Sequence, residues 1–153
     1  MLTEKLDGFD RLILEIVQRD TTLTKAEIGD AVGLSASAVR RRLNTLRDDN
    51  VIEKEVAILG AMEIGVRLIV TITFENESIE VFEALDQLIL NTPEIVQGYH
   101  VSGPEDYILF VHGPNIEWYE EWGKQTFMTN AAIRRYDTRV IWSCKKFETA
   151  IQL

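Results

Sequence analysis

The sequence predicts an α+β protein in two parts, three short helices followed by strands and helices in the order βαββαβ. Two observations carry this expectation. Up to about residue 50 the apolar residues recur at helical spacing, and from Val51 onward that period is lost. Beyond residue 61, stretches that alternate apolar and polar residues trade places with stretches of helical period. At 153 residues the chain is close to one ordinary domain in size, yet long enough for two compact modules.

Phe9, Leu12, Ile13, Ile16 and Val17 line one face of a first helix, with Asp7 or Asp10 available to cap it. A break follows at Asp20-Thr21-Thr22. Thr24 and Glu27 have the spacing of a capping box, and Ile28, Ala31 and Val32 give a second, short helix its inward face. Gly33 ends that helix, and Ser35 caps a third whose apolar positions are Val39, Leu43 and Leu46. The third helix should stop at Asp48-Asp49-Asn50, because Asn tolerates the left-handed conformation of a C-terminal cap.

Val51, Ile52, Val56, Ile58 and Leu59 read as an extended connector interrupted by Glu53-Lys54-Glu55. Gly60 and Gly65 bracket the passage into the second part, giving modules at 1–50 and 61–153 with a linker or hinge strand at 51–60. Val66 to Phe74 alternates as a half-buried strand should, and Ser78 to Leu90 returns to helical period. Strands at Ile95–Val101 and Tyr107–His112 are separated by a Gly-Pro turn. A helix after Pro114-Asn115 carries Trp118, Tyr119, Trp122, Phe127 and Met128, and Ile133–Trp142 is the last strand. This order is the ferredoxin-like arrangement, with two helices on one face of a four-stranded antiparallel sheet.

Apolar residues make up 46% and charged residues 27%, the composition of a soluble globular protein. No apolar run approaches the ~18 residues of a membrane span, and the start, Met1 to Phe9, lacks the apolar stretch of a secretion signal, so a cytoplasmic protein without a membrane partner is expected. A lone Cys144 fits that compartment and excludes an internal disulfide or a zinc site of paired cysteines; no metal or cofactor is expected. His100 and His112, the two imidazoles, fall in or beside strands, where core or surface roles are the common ones, so no catalytic residue is assigned.

A net charge of −9 argues at first against a nucleic-acid partner. Its distribution reverses the inference. Residues 1–60 hold 9 basic and 11 acidic side chains against 7 and 14 in 61–153, so the acidity lies mainly in the second part. Arg40, Arg41, Arg42 and Arg47 fall within eight residues of the third helix. Opposite Val39, Leu43 and Leu46 lies an arc of Ser37, Arg40, Arg41, Asn44 and Thr45. Guanidinium groups suit guanine edges or phosphates, Asn suits adenine, and Ser35 and Ser37 at the helix start suit phosphate oxygens. Arg42 lies on the flank, where a phosphate contact or an intramolecular bond is expected. Three consecutive arginines are compatible with a merely solvated helix, but a short capped helix, a Gly-containing turn and a basic second helix together match a DNA-binding helix-turn-helix.

The run Leu6-Asp7-x-x-Asp10-x-x-Ile13-Leu14, then Leu23-Thr24-x-x-Glu27-Ile28, Val32-Gly33-Leu34-Ser35, Val39-x-x-Arg42-Leu43-x-x-Leu46 and Val51-Ile52 resembles the leucine-responsive/AsnC-type (feast/famine) transcription regulators. His100-Val101-Ser102-Gly103-x-x-Asp106-Tyr107 is similar to a loop of their effector domain, so the resemblance spans nearly the whole chain. It implies a homodimer, commonly assembled into octamers, whose paired helix-turn-helix units contact palindromic DNA and whose α+β domains associate through their sheets. It further implies that Val51–Leu59 pairs with the partner subunit as a hinge strand. An effector, typically an amino acid, is implied between subunits near Ser102, Gly103, Asp106 and Tyr107, with Thr138 a further candidate. Backbone N–H groups at a Gly turn suit a carboxylate and Asp106 suits an ammonium; equally, Gly103-Pro104 serves a turn, Asp106 caps it and Tyr107 fills a core. Pro104, Glu105, Ala131-Ala132 and Tyr136 depart from the family pattern and leave effector identity open. Two rival readings stand beside this one, a haem-precursor decarboxylase on the same two-domain plan and an amino-acid-binding or assembly module without DNA.

Overall fold

The computed structural model describes residues 6–59 and 65–153, which divide into two compact units: 6–59 with 146–153, and 65–145. The end of the linker at Gly60 and the boundary at residue 61 lie outside the described residues. The last eight residues, expected with the second module, group with the first.

In the first unit, α1 spans Gly8–Val17, α2 Lys25–Val32 and α3 Ala36–Asp48. Each begins where its capping side chain puts it. Asp7 accepts from the Asp10 N–H while the Asp10 carboxylate accepts from the Asp7 N–H, so the two candidate caps form one reciprocal box. Thr24 and Glu27 repeat this at α2, and Ser35 accepts from the Ala38 N–H at α3. The stops are equally local. Gly33 ends α2 at φ 74, and Asn50 follows α3 at φ 55, the left-handed geometry expected of it. Ile13, Ile28, Val32, Val39 and Leu43 close the core of this unit, with Ile52 packed against it.

Between α2 and α3 the chain turns tightly under Gly29, whose carbonyl accepts from the Leu34 N–H at 2.9 Å. A Cβ at Gly29 collides with the Leu34 carbonyl oxygen. The close approach of helix and turn therefore requires glycine.

The final segment docks on this unit by its backbone. The Gln18 side chain accepts from the Ile151 N–H at 2.8 Å and donates to the Ile151 carbonyl at 3.2 Å, the two-point pairing that a neighbouring strand makes.

The second unit is the expected sandwich of a sheet with two helices. β1 spans Val66–Phe74, α4 Ile79–Asn91, β2 Ile95–His100, β3 Tyr107–Gly113, α5 Ile116–Gly123 and β4 Ile133–Val140. The strands lie in the order β2-β3-β1-β4, all neighbours antiparallel. Leu68, Val70, Ile72 and Phe74 of β1 and Tyr107, Leu109 and Val111 of β3 pack on Leu85, Tyr119 and Phe127. The helix after Asn115 ends at Gly123 and continues as a π-helical turn, Lys124–Met128, a change of period that places Phe127 fully inside. No helix among the described residues is long and apolar enough to cross a membrane.

Gly29→Ala should lower the stability of the first unit by about 1–3 kcal/mol in urea unfolding, because the obstacle is backbone that cannot rotate away; this outweighs the ~1 kcal/mol that alanine ordinarily gains in a helix. For the C-terminal clamp, hydrogen exchange should find the Ile151 amide protected, and Gln18→Ala should remove that protection.

Candidate nucleic-acid interface and effector pocket

Along α3 the apolar residues Val39, Leu43 and Leu46 are buried, which turns the polar positions outward. Ser35, Ser37, Arg40, Arg41 and Asn44 are exposed. The Arg40 and Arg41 guanidinium groups form no ion pair among the described residues. Ser35 and Ser37 lie at the N-terminus of the helix with their hydroxyls 3.1 Å apart.

Arg42 has a different task. One guanidinium nitrogen donates to Asp7 at 2.7 Å and to Asp10 at 2.8 Å, and the group sits 5.4 Å above the Phe9 ring. Hydrogen bonds to Asp10 and Asp7 raise its pKa above the usual arginine value. Of the two roles expected for this side chain, the intramolecular bond is the one found: it fastens α3 to the start of α1. Arg47 is also engaged, donating to the Asn44 side-chain carbonyl at 3.3 Å and to Glu55 at 2.7 Å.

In the second unit the loop after β2 is built around Asp106. Its carboxylate accepts from the Phe74 N–H at 2.7 Å, its N–H donates to the Ile72 carbonyl at 2.8 Å, and its carbonyl accepts from the Val101 N–H at 2.9 Å. Ser102 and Gly103 are exposed at the tip, Gly103 at φ 151. Tyr107 is buried, donates to Asp86 at 2.8 Å and stacks on His100; burial and the Asp86 carboxylate push its hydroxyl pKa well up. The Asp106 carboxylate thus ties the loop to β1 rather than capping the Gly103-Pro104 turn, and the Tyr107 ring is buried.

Thr138 lies elsewhere. It pairs with Val70 on β1, four residues from Phe74 and so about 13 Å along the strand. Its hydroxyl is 2.6 Å from that of Tyr119, whose pKa burial raises. Around this pair opens a pocket of about 420 Å³ lined also by Ile116, Glu120, Lys124, Met128 and Tyr136. Lys124 and Glu120 form an ion pair at 2.7 Å on its rim. Apart from Thr138, none of these residues is assigned to a site by the sequence. The π-helical turn that places Lys124 and Met128 beside β4 leaves no spacing signature. Among the described residues, no three His, Cys, Asp or Glu side chains gather as metal ligands do.

A capped helix-turn-helix with an exposed basic arc, joined in one chain to an α+β unit with a pocket beside its sheet, defines a DNA-binding regulator with a sensory domain. Residues 6–53 match the family model for winged helix-turn-helix DNA-binding, and residues 67–151 match that for the Lrp/AsnC ligand binding domain. The chain belongs to the Lrp/AsnC family of transcription regulators. It is 36% identical over 151 residues to the uncharacterized HTH-type transcriptional regulator y4tD of Sinorhizobium fredii, covering 97% of this chain and 89% of that one. With the glutamate uptake regulatory protein of Zymomonas mobilis it shares 30% identity over 149 residues, 96% of this chain and 89% of the relative. An AsnC family transcriptional regulator from Agrobacterium tumefaciens has a crystal structure that superposes with a TM-score of 0.84 at 32% identity, covering 95% and 96% of the two chains.

The Asp10 N–H, with Arg42, holds the Asp7 carboxyl below its ordinary value of 3.8. The unfolded chain therefore takes up that proton at a higher pH than the folded one. Its stabilisation is fully present above about pH 4 and is lost as the pH falls through the folded value. Acid unfolding followed by circular dichroism should decline less steeply below that pH in Asp7→Asn than in the parent protein.

Proposed function

We propose that the protein is a homodimeric regulator, assembled further into octamers, that binds a palindromic operator through Arg40, Arg41, Asn44 and the serines at the start of α3 and answers to an amino acid. The observation that carries the DNA assignment is the exposed α3 arc, whose Arg40 and Arg41 form no ion pair among the described residues. Arg42 supports that surface from behind.

Dimerisation is supported by the sheet face opposite the helices. Pairing register puts Ile69, Thr71 and Thr73 of β1, Ile108 and Phe110 of β3 and Tyr99 of β2 on that face. Thr71 is 5% exposed with its hydroxyl unpartnered among the described residues. Covering this strip with the same strip of a second copy buries apolar surface that one chain leaves half-open. Exposed Val56 and Ile58, alternating along an extended segment, suit pairing of the 51–59 connectors in the same dimer. A two-fold axis sets two α3 helices about one DNA turn apart, which is the reason to expect a palindrome.

For the effector, the Thr138 pocket is the favoured seat. Lys124 suits a carboxylate, Glu120 an ammonium, and Ile116 and Met128 an aliphatic side chain. Because Thr138 and the Ser102–Tyr107 loop are apart within one chain, a site using both needs two subunits. The regulator reading is favoured over the decarboxylase reading by the exposed Arg40 and Arg41 of α3; His100, exposed at the end of β2, lies with its ring against Phe82 and Tyr107.

In mobility-shift titrations with DNA from upstream of its own gene, Arg40→Ala/Arg41→Ala should abolish the specific complex while the fold is retained; undiminished binding would remove α3 as the reading surface. Calorimetric titration with each of the common amino acids should give heat for at least one, and Thr138→Val should weaken that ligand by about tenfold, the loss of one hydrogen bond.

A further inference from the structure

Arg47 and Asn44 stand on the polar side of α3, yet each is occupied. The Arg47 guanidinium bridges two acceptors, the Asn44 side-chain carbonyl at 3.3 Å and the Glu55 carboxylate at 2.7 Å. Glu55 belongs to the extended segment after α3, which is fixed at its start where the Val51 and Ile52 N–H groups both donate to the Leu46 carbonyl. A guanidinium recognises a carboxylate and a phosphate by the same planar fork of donors. An asparagine that reads adenine needs its carbonyl oxygen for the base, the atom that Arg47 engages here.

We propose that Glu55 is an intramolecular latch: it takes the place of a DNA phosphate on Arg47 and, through Arg47, holds Asn44 closed until DNA displaces it. This rests on the DNA assignment of α3 and adds to it an affinity-limiting residue outside the helix. The ion pair has the strength such a latch requires. Its side chains are 36% and 43% exposed, and exposed pairs are individually weak, so a backbone phosphate brought in by Arg40 and Arg41 can compete. Release of Arg47 frees the Asn44 carbonyl in the same step. Among the described residues the neighbouring Glu53 pairs with Lys54, at 3.9 Å, and it is not part of the latch.

The test is a double-mutant cycle on the full-length protein with a random-sequence duplex, at about 50 and 200 mM salt. Glu55→Gln should tighten binding about two- to fivefold at the lower salt, the range expected for removing one exposed competing charge. Arg47→Ala should weaken it, and in the Arg47→Ala background Glu55→Gln should bring no gain. Glu53→Gln, which removes the same charge two residues away, should leave affinity near that of the parent. The latch is overturned if Glu55→Gln brings no gain, if its gain survives without Arg47, or if Glu53→Gln gains as much, since the last two reduce the effect to net charge. If the parent protein and every variant fail to bind the duplex at low salt, the DNA assignment of α3 itself falls. Binding by the parent with no gain from Glu55→Gln removes the latch alone.

Discussion

In the helix-turn-helix unit one cation ties the recognition helix to the start of the chain's first helix. Arg42 reaches from the flank of α3 to both carboxylates at the start of α1, and those carboxylates are already committed to each other's backbone N–H groups. One side chain thereby ties the start of α1 to α3, beside the apolar cluster that Ile13 shares with Val39 and Leu43. The division of labour among three consecutive arginines follows. Helical steps of about 100° place Arg42 over α1, turn Arg41 to the side and carry Arg40 to the far side, so identical residue types serve different purposes. The acidic pair also explains how a chain with a charge of −9 presents a basic surface: some of its carboxylates are spent inside the unit, aligning the helix that carries the cations.

The second unit depends on a different constraint, the one-sidedness of its sheet. Both helices of this unit lie on the face formed by Leu68, Val70, Ile72 and Leu109, and the opposite face carries Ile69, Ile108 and Phe110. A period of two distributes apolar residues to both faces of β1, which is more than a two-layer sandwich needs. The same strand positions the two polar centres of the unit. Asp106 closes its far end by holding the Phe74 N–H, and Thr138 stands midway beside Val70, on the side of α5.

Much of this was legible residue by residue. The capping boxes at Asp7 and Thr24, the left-handed stops at Gly33 and Asn50, and the alternation of β1 are local events, decided by a few neighbouring side chains and backbone geometry. The order βαββαβ followed from them, and with it the ferredoxin-like sheet. The exposed arc of α3 was legible for the same reason, since helical geometry alone sends Arg40, Arg41 and Asn44 away from Val39 and Leu43. The motif around Ser102–Tyr107 pointed to a loop correctly placed between β2 and β3, but motif and chemistry parted there, because what Asp106 and Tyr107 bond to lies on β1 and α4.

What the sequence determined by itself, then, was the set of elements, their order and the outward face of the recognition helix, all of which depend on interactions spanning a few residues. Tertiary structure alone decided which charges are free. Arg42 meets Asp7 across 35 positions, Gln18 clamps Ile151 across 133, and Lys124 and Thr138 reach one pocket through a π-helical turn that has no spacing signature. Such pairings form because folding brings remote donors and acceptors to hydrogen-bonding distance, and no periodicity along the chain records which remote partner each will find.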